Sequence, residues 1–138
     1  MIQAKDLMIG NWVLYTTPKI PKPVKIGKIY VNEKGTVCEV NFYGNLGNDS
    51  ISEICFDYIP LTPEILEKNG FRHGDGFEKR WYYVKVEDKK VTLYQSNTFY
   101  MLKIDEGIWP KLNNIYIRFV HELQHALRLC GIDKEITL

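Results

Sequence analysis

Cysteine is scarce in this chain and badly placed for cross-links. The three cysteines, Cys38, Cys55 and Cys130, are odd in number and far apart, and no two of them form a CxxC pair. This pattern indicates neither a disulfide framework nor a cysteine zinc site. Each cysteine has apolar neighbours, so we expect small buried side chains in a reducing cytoplasm.

The sequence also lacks a secretory signal, a long apolar run and a strong net charge. Residues 1–6 do not resemble a signal peptide, and no apolar run approaches the length of a membrane span. The formal net charge is +1, which argues against a strong nucleic-acid or membrane-surface binder. We therefore expect no membrane partner, and the oligomeric state stays open.

Aromatic residues, in contrast, are abundant: they make up 13% of the 138 residues. Such side chains pack well on half-buried pleated strands, so their frequency favours sheets. The length fits a single domain, residues 1–138, with a β-rich part at 1–60 and an α+β part at 61–138. The predicted fold class is therefore α+β.

The β-rich part is predicted to form a small antiparallel SH3-like barrel or curled sheet. Its candidate strands alternate in polarity or carry β-branched and aromatic residues, and they lie at residues 12–15, 24–31, 36–42 and 50–58. A short linking helix follows. Thr62 is a good N-cap, Pro63 suits the first helical position, and Gly70 ends the helix.

The α+β part is predicted to form an antiparallel sheet covered by a C-terminal amphipathic helix. The turn at residues 73–76 is expected to connect a hairpin. The candidate strands lie at residues 77–86, 91–95, 98–104 and 115–118, with a loop at 105–114. The helix spans residues 119–130, and residues 132–138 are expected to be a frayed tail or a short edge strand.

The C-terminal helix carries the one string that matches a catalytic motif. His121, Glu122 and His125 read H-E-x-x-H, the pattern of zinc proteases. Two histidines four residues apart on a helix can ligate one zinc ion, and the glutamate between them can act as general base on a bound water.

Several features weigh against this interpretation. No third ligand is evident, and Arg128 and Gly131 stand where the longer motif has glycine and histidine. On a helical wheel both histidines lie opposite the apolar stripe, so we expect both imidazoles in solvent. Our first hypothesis has no metal, no cofactor and no catalytic residue. The alternative is a zinc hydrolase with His121 and His125 as ligands and Glu122 as the base.

Four segments resemble a known family. They are residues 6–13 (DLMIGNWV), 59–71 (IPLTPEILEKNGF), 81–82 (WY) and 116–124 (YIRFVHELQ). In this order they are similar to small uncharacterised proteins of gut anaerobic bacteria and their phages or prophages. The resemblance implies an accessory protein and carries no activity to transfer. In the family pattern Glu122 stands at a variable place and asparagine is usual at the position of His125, which argues further against a metal site.

Two surfaces are candidates for contact with an anionic partner. Lys19, Lys22, Lys25 and Lys28 recur every third residue in a proline-rich stretch, and a polyproline helix would align them in one row. We favour a solvated strand edge for these lysines. Four tyrosines could form a stacking platform for single-stranded nucleic acid, although core packing is the expectation that we favour. They are Tyr82, Tyr94, Tyr100 and Tyr116.

Three functional hypotheses follow from the sequence. The first is a non-enzymatic binding protein with an unidentified protein partner. The second is the zinc hydrolase, and the third is weak nucleic-acid binding through the lysines.

Overall fold

The computed structural model describes residues 7–16, 19–31, 37–43 and 56–138. Within these ranges the chain forms two antiparallel sheets and two α-helices, which confirms the predicted α+β class. None of the helices described is long and apolar enough to cross a membrane. The chain divides into two compact units, residues 1–59 and 60–138.

The first unit contains a four-stranded sheet. Strand β1 (Trp12–Tyr15) coincides with its predicted range, and β2 (Lys22–Val31) and β3 (Val37–Tyr43) lie within two residues of theirs. Strand β4 (Phe56–Asp57) is the described part of the strand predicted at 50–58, whose first residues lie outside the described ranges. The strand order is β3-β2-β1-β4.

A compact apolar cluster stabilises this sheet. Val13 of β1 pairs with Val24 of β2, and both side chains are buried, as are those of Leu7, Ile26 and Phe56. Two backbone bonds at the start of β1 fix the register, because Gly10 N donates to Ile26 O and Ile26 N donates to Asn11 O.

The second unit begins with α1 (Pro63–Lys68), which has the predicted ends. The amide of Ile65 donates to the Thr62 hydroxyl at 3.4 Å, and Gly70 follows the helix at φ +83°. This positive φ suits glycine because other residues meet a steric penalty there.

A five-stranded antiparallel sheet follows, with the strands in chain order. The predicted hairpin is present, but its connection runs over residues 74–80 rather than 73–76 and contains a short 3-10 helix, Gly76–Glu78. The strand predicted from residue 77 therefore starts at Trp81. The strands are β5 (Arg72–His73), β6 (Trp81–Val86), β7 (Lys89–Gln95), β8 (Tyr100–Glu106) and β9 (Trp109–Ile117). Helix α2 spans Val120–Leu129.

The loop predicted at residues 105–114 is wrong. Strand β8 continues to Glu106, the chain turns at Gly107 (φ +59°), and β9 starts at Trp109. Glycine at positive φ allows such a tight hairpin. Pro110 lies in β9, the last strand of the sheet, where a missing amide donor breaks no ladder bond.

The tail, residues 132–138, is neither frayed nor a strand. Ile132 and Ile136 are 4% and 1% exposed. The Asn69 side chain donates to Thr137 O at 2.7 Å and accepts from Thr137 N at 2.8 Å. This pair of bonds imitates one rung of a β-ladder and holds the tail beside the end of α1.

Candidate functional site

The glutamate of the H-E-x-x-H string has a clear structural role. Its Oε2 atom accepts hydrogen bonds from the amides of Arg118 at 2.6 Å and Phe119 at 3.0 Å. These amides lie at the start of α2, where backbone donors have no partner within the helix. Glu122 therefore caps the start of α2 in the way that the glutamate of a capping box does, although Phe119 at the N-cap has no side-chain acceptor for the reciprocal bond.

The prediction that both imidazoles lie in solvent is wrong. His121 is 4% exposed and His125 is partly buried. The two rings meet edge to face with centroids 5.6 Å apart, and His121 stacks on Phe119 at 5.9 Å. The helical wheel failed because the buried arc of α2 is wider than its apolar stripe and also includes Gln124.

In the described part of the chain, other potential metal donors do not gather around this histidine pair. Among the residues that the structure describes, no group of three or more His, Cys, Asp or Glu side chains could hold a metal ion. The remaining histidine, His73, lies in β5, and its Nε2 atom is 3.7 Å from a carboxylate oxygen of Glu67 in α1.

The four lysines of the proline-rich stretch do not form a polyproline row. Lys22 and Lys25 both lie in β2, where residues three apart point to opposite faces. The Lys25 ammonium lies 5.1 Å from the ring centre of Trp12. Lys19 is exposed in a bend before β2, and the side chain of Lys28 lies outside the described part of the chain.

The core packing that we favoured for the four tyrosines is confirmed for two of them, Tyr82 and Tyr100. Tyr82 and Tyr100 are each 5% exposed and meet edge to face at 6.2 Å within the core. Burial raises the pKa of both phenols, that of Tyr100 to about 12. Tyr94 and Tyr116 belong to the opposite face of the sheet.

The five-stranded sheet has two contrasting faces. The inner face is apolar, and the side chains buried there pair across the strands in register. They are Tyr82, Val91, Leu93, Tyr100, Leu102, Ile104 and Ile117. The residues that alternate with them form an outer face with a large accessible aromatic area.

The outer face contains an aromatic row, which we define as Trp81, Tyr94, Met101 and Tyr116. Each member pairs directly with the next across β6, β7, β8 and β9. Trp81 and Tyr116 are 42% and 65% exposed. The rings of Trp81 and Tyr94 lie 4.9 Å apart, and Phe99 extends the row by an edge contact with Tyr116 at 4.9 Å.

A second group on the outer face is basic. Arg72, Tyr83, Thr92 and Lys103 pair across β5 to β8, and Lys85 pairs with Lys90 in the next register. The Lys90 ammonium lies 5.6 Å from the ring centre of Tyr83. We define Arg72, Lys85, Lys90 and Lys103 as the basic group.

Asp105 is the acidic side chain that shares this register, and its carboxylate lies 3.4 Å from the Lys103 ammonium. The paired strand positions of β5 to β8 therefore carry four basic groups against one carboxylate on this face. Since exposed charges act locally, the face is electropositive although the chain as a whole is nearly neutral.

An open groove of about 410 Å³ lies at the Tyr116 end of the aromatic row. Its walls combine three aromatic rings with one cation and the capping carboxylate, and they comprise Phe99, Tyr116, Arg118, Phe119 and Glu122. The groove therefore offers aromatic surface together with a charged guanidinium beside it.

The Cys130 thiol lies at the end of α2 and is not part of a nucleophilic site. Burial raises its pKa, and this effect outweighs the opposite influence of Lys111 and Lys89. A thiol with a raised pKa is mostly protonated at neutral pH and reacts slowly.

Comparisons with known proteins give no guide to this surface. The chain matches no protein-family model, no curated protein and no solved structure. The resemblance described above stays a prediction, and the function is argued from the geometry of the outer face.

Sequence reasoning selected tyrosines by residue type and thereby missed Trp81 and Tyr83. The signal that identifies them is the alternation of β6, in which Trp81 and Tyr83 share one face while Tyr82 and Val84 share the other.

Proposed function

We propose that the chain is a non-enzymatic binding protein whose binding surface is the outer face of the five-stranded sheet. The observation that carries this proposal is the aromatic row, which leaves Trp81 and Tyr116 accessible on a strand framework. Accessible aromatic side chains joined by a partly exposed tyrosine and methionine form an apolar strip, and such strips are typical of interaction sites. The capping role of Glu122 supports the non-enzymatic part, since its carboxylate is engaged by two amides.

We also infer the finer architecture. Helix α2 covers the inner face of the second sheet. The inference is supported by the buried Leu123 and Leu127, and by the electrostatic influence of the strand residues Lys89 and Glu106 on the Cys130 thiol. For the first unit we keep a curled SH3-like sheet, supported by the register shifts between β2 and β3, since bulges increase twist.

The biological setting is proposed from the sequence. We keep an accessory role in a bacterium or its phage, on the strength of the family resemblance. The reducing cytoplasm remains the proposed compartment, and the free Cys130 thiol is consistent with it.

Site-specific photocrosslinking tests the proposed binding surface. We expect Trp81→p-benzoylphenylalanine, introduced in the full chain and irradiated in the cells that express it, to give a discrete adduct. The matched control is the same substitution at Trp109, which is 71% exposed and lies outside the aromatic row. Digestion of the adduct with nuclease or protease identifies the class of partner. Adduct yields at position 81 no higher than at position 109 would show that the outer face is not a binding surface.

A further inference from the structure

The composition of the outer face distinguishes between classes of partner. Protein interfaces are depleted in lysine, especially at their centres. Here Arg72 and Lys103 share a register with the exposed Tyr83, and Lys85 and Lys90 lie in the next register, with the one carboxylate of Asp105. Cations beside aromatic rings match a ligand that offers both phosphates and flat apolar groups.

We propose that the outer face binds single-stranded nucleic acid, with bases stacked on the aromatic row and phosphates on the basic group. This inference rests on the proposed binding function and specifies its partner. Unpaired bases expose flat surfaces that stack on aromatic side chains without regard to sequence. In a duplex these surfaces are hidden, so the face favours single strands.

The dimensions of the face agree with this partner. Neighbouring strands lie about 4.8 Å apart, so the aromatic row spans about 14 Å from Trp81 to Tyr116, enough for a few successive bases. Arg72 and Lys103 lie in the outer-face register next to the row, and Lys85 and Lys90 lie in the register after that. A backbone that follows the row therefore passes within reach of these cations.

Two further contacts extend the row at the Tyr116 end. Phe99 meets Tyr116 edge to face, and the exposed Arg118 lines the groove beside it. The guanidinium of Arg118 can stack on a base or bind a phosphate at this end. The Glu122 carboxylate in the same groove is already bound by backbone amides, which reduces its repulsion of phosphates.

Fluorescence anisotropy with the full chain tests the inference. The probes are fluorescein-labelled oligothymidylate and oligouridylate of about 20 nucleotides, which also distinguish DNA from RNA. We expect micromolar binding in low salt to at least one probe, and weaker binding to a duplex of the same length. Engagement of all four cations of the basic group gives a slope of log Kd against log[KCl] of about 3.

Variants separate stacking from charge. Trp81→Ala and Tyr116→Ser should each weaken binding about tenfold and leave the salt slope unchanged. Lys85→Gln should reduce the slope by about 0.7. The matched controls, Trp109→Ala and Lys134→Gln, should leave both quantities unchanged. Urea unfolding of each variant confirms that the sheet is retained, and Tyr116→Ser, at the more exposed end of the row, serves if Trp81→Ala unfolds.

Three results would overturn the nucleic-acid inference. They are no binding to either probe in low salt, binding that folded Trp81→Ala and Tyr116→Ser variants retain in full, and a preference for the duplex. An adduct at position 81 that resists nuclease and contains a polypeptide, with no binding to either probe, would remove this inference and leave the proposed binding surface intact. No adduct at position 81 would remove both.

Discussion

Glu122 matches a catalytic motif in the sequence, but its position meets a structural requirement of helix α2. A helix that starts after Phe119 needs acceptors for its first amides, and glutamate at the third helical position supplies one. His121 and His125 stand on either side of it and pack against each other. Capping thus explains the position of Glu122, and the two imidazole rings contribute to packing beside it.

We expect Glu122→Ala to lower the free energy of unfolding by about 1 to 2 kcal/mol, because two amides lose a charged acceptor. Urea unfolding at neutral pH measures this change. Asp133→Asn removes one exposed carboxylate elsewhere and should change stability by less than about 0.5 kcal/mol. Equal stabilities for Glu122→Ala and the unaltered chain would contradict the capping role.

The burial of Tyr100 predicts that the free energy of unfolding falls at alkaline pH. The pKa of Tyr100, about 12 in the folded chain, lies above the ordinary value of 10.0, because burial disfavours the phenolate. The protonated phenol contributes to the free energy of unfolding, and this contribution is fully present below about pH 10. It is lost as the pH rises toward 12, and the loss is on the order of 2 kcal/mol.

Urea unfolding at about pH 9 and about pH 11.5 tests this dependence. Tyr100→Phe should reduce the loss of stability between these two values. It should not abolish the loss, because the pKa of the buried Tyr82 is raised as well. An unchanged loss in Tyr100→Phe would mean that the phenol ionises as readily in the folded chain as in the unfolded one.

At the scale of elements, the tail after α2 is part of the core of the second unit. Its two isoleucines are buried, and Asn69 fixes its backbone by accepting from Thr137 N and donating to Thr137 O. Asn69 also donates to Ile65 O at 2.8 Å, so one side chain connects α1 with the tail.

Asn69→Ala should therefore destabilise the chain by about 1 to 2 kcal/mol, since it leaves partly buried backbone groups of Thr137 without these partners. Chemical denaturation measures the loss, and hydrogen exchange should show faster exchange at the Thr137 amide. Asn97→Ala is the matched control, because Asn97 is exposed beside the β7–β8 turn. Slow exchange at Thr137 in the Asn69 variant would show that another contact holds the tail.

At the scale of the whole molecule, the chain contains two compact units with separate apolar clusters. The first gathers Val13, Val24, Ile26 and Phe56, and the second is built on the inner face of the five-stranded sheet. A unit with its own core and hydrogen-bonded strands meets the usual requirement for folding alone.

We accordingly expect a fragment of residues 60–138 to fold on its own and unfold cooperatively in urea. Its amide spectrum should be well dispersed, as in a sheet with a fixed register. A fragment of residues 1–59 serves as the comparison for the other unit. A non-cooperative transition for 60–138 would show that its core needs the rest of the chain.

The sequence predicted those features that depend on local chemistry. Thr62, Pro63 and Gly70 marked the ends of α1, and a run of aromatic and β-branched residues marked β1. Sequence-based prediction failed where tertiary packing determines the burial of a side chain or the extent of a strand. The wheel placed His121 in solvent, and proline suggested a loop where β9 forms a sheet edge.

The candidate surface could be predicted from the sequence only in part, namely where it depends on alternation within one strand. Period-two alternation placed Trp81 and Tyr83 together, but the row emerges from cross-strand register, which joins Trp81 to Tyr94, Met101 and Tyr116. Register depends on turn geometry at several hairpins, so neighbouring positions across strands are not evident from one sequence.

The alternation of inner and outer side chains along β7 has an evolutionary consequence. Deleting one residue of β7, such as Thr92, would move every later residue of the strand to the opposite face. Leu93 would then lie on the outer face and Tyr94 on the inner face. A substitution can change the side chains of the outer face and leave those of the inner face as they are. A change of strand length alters the side chains on both faces. We expect homologous genes to differ in length at turns such as the one at Gly107, and to keep the number of codons in β6, β7 and β8 constant.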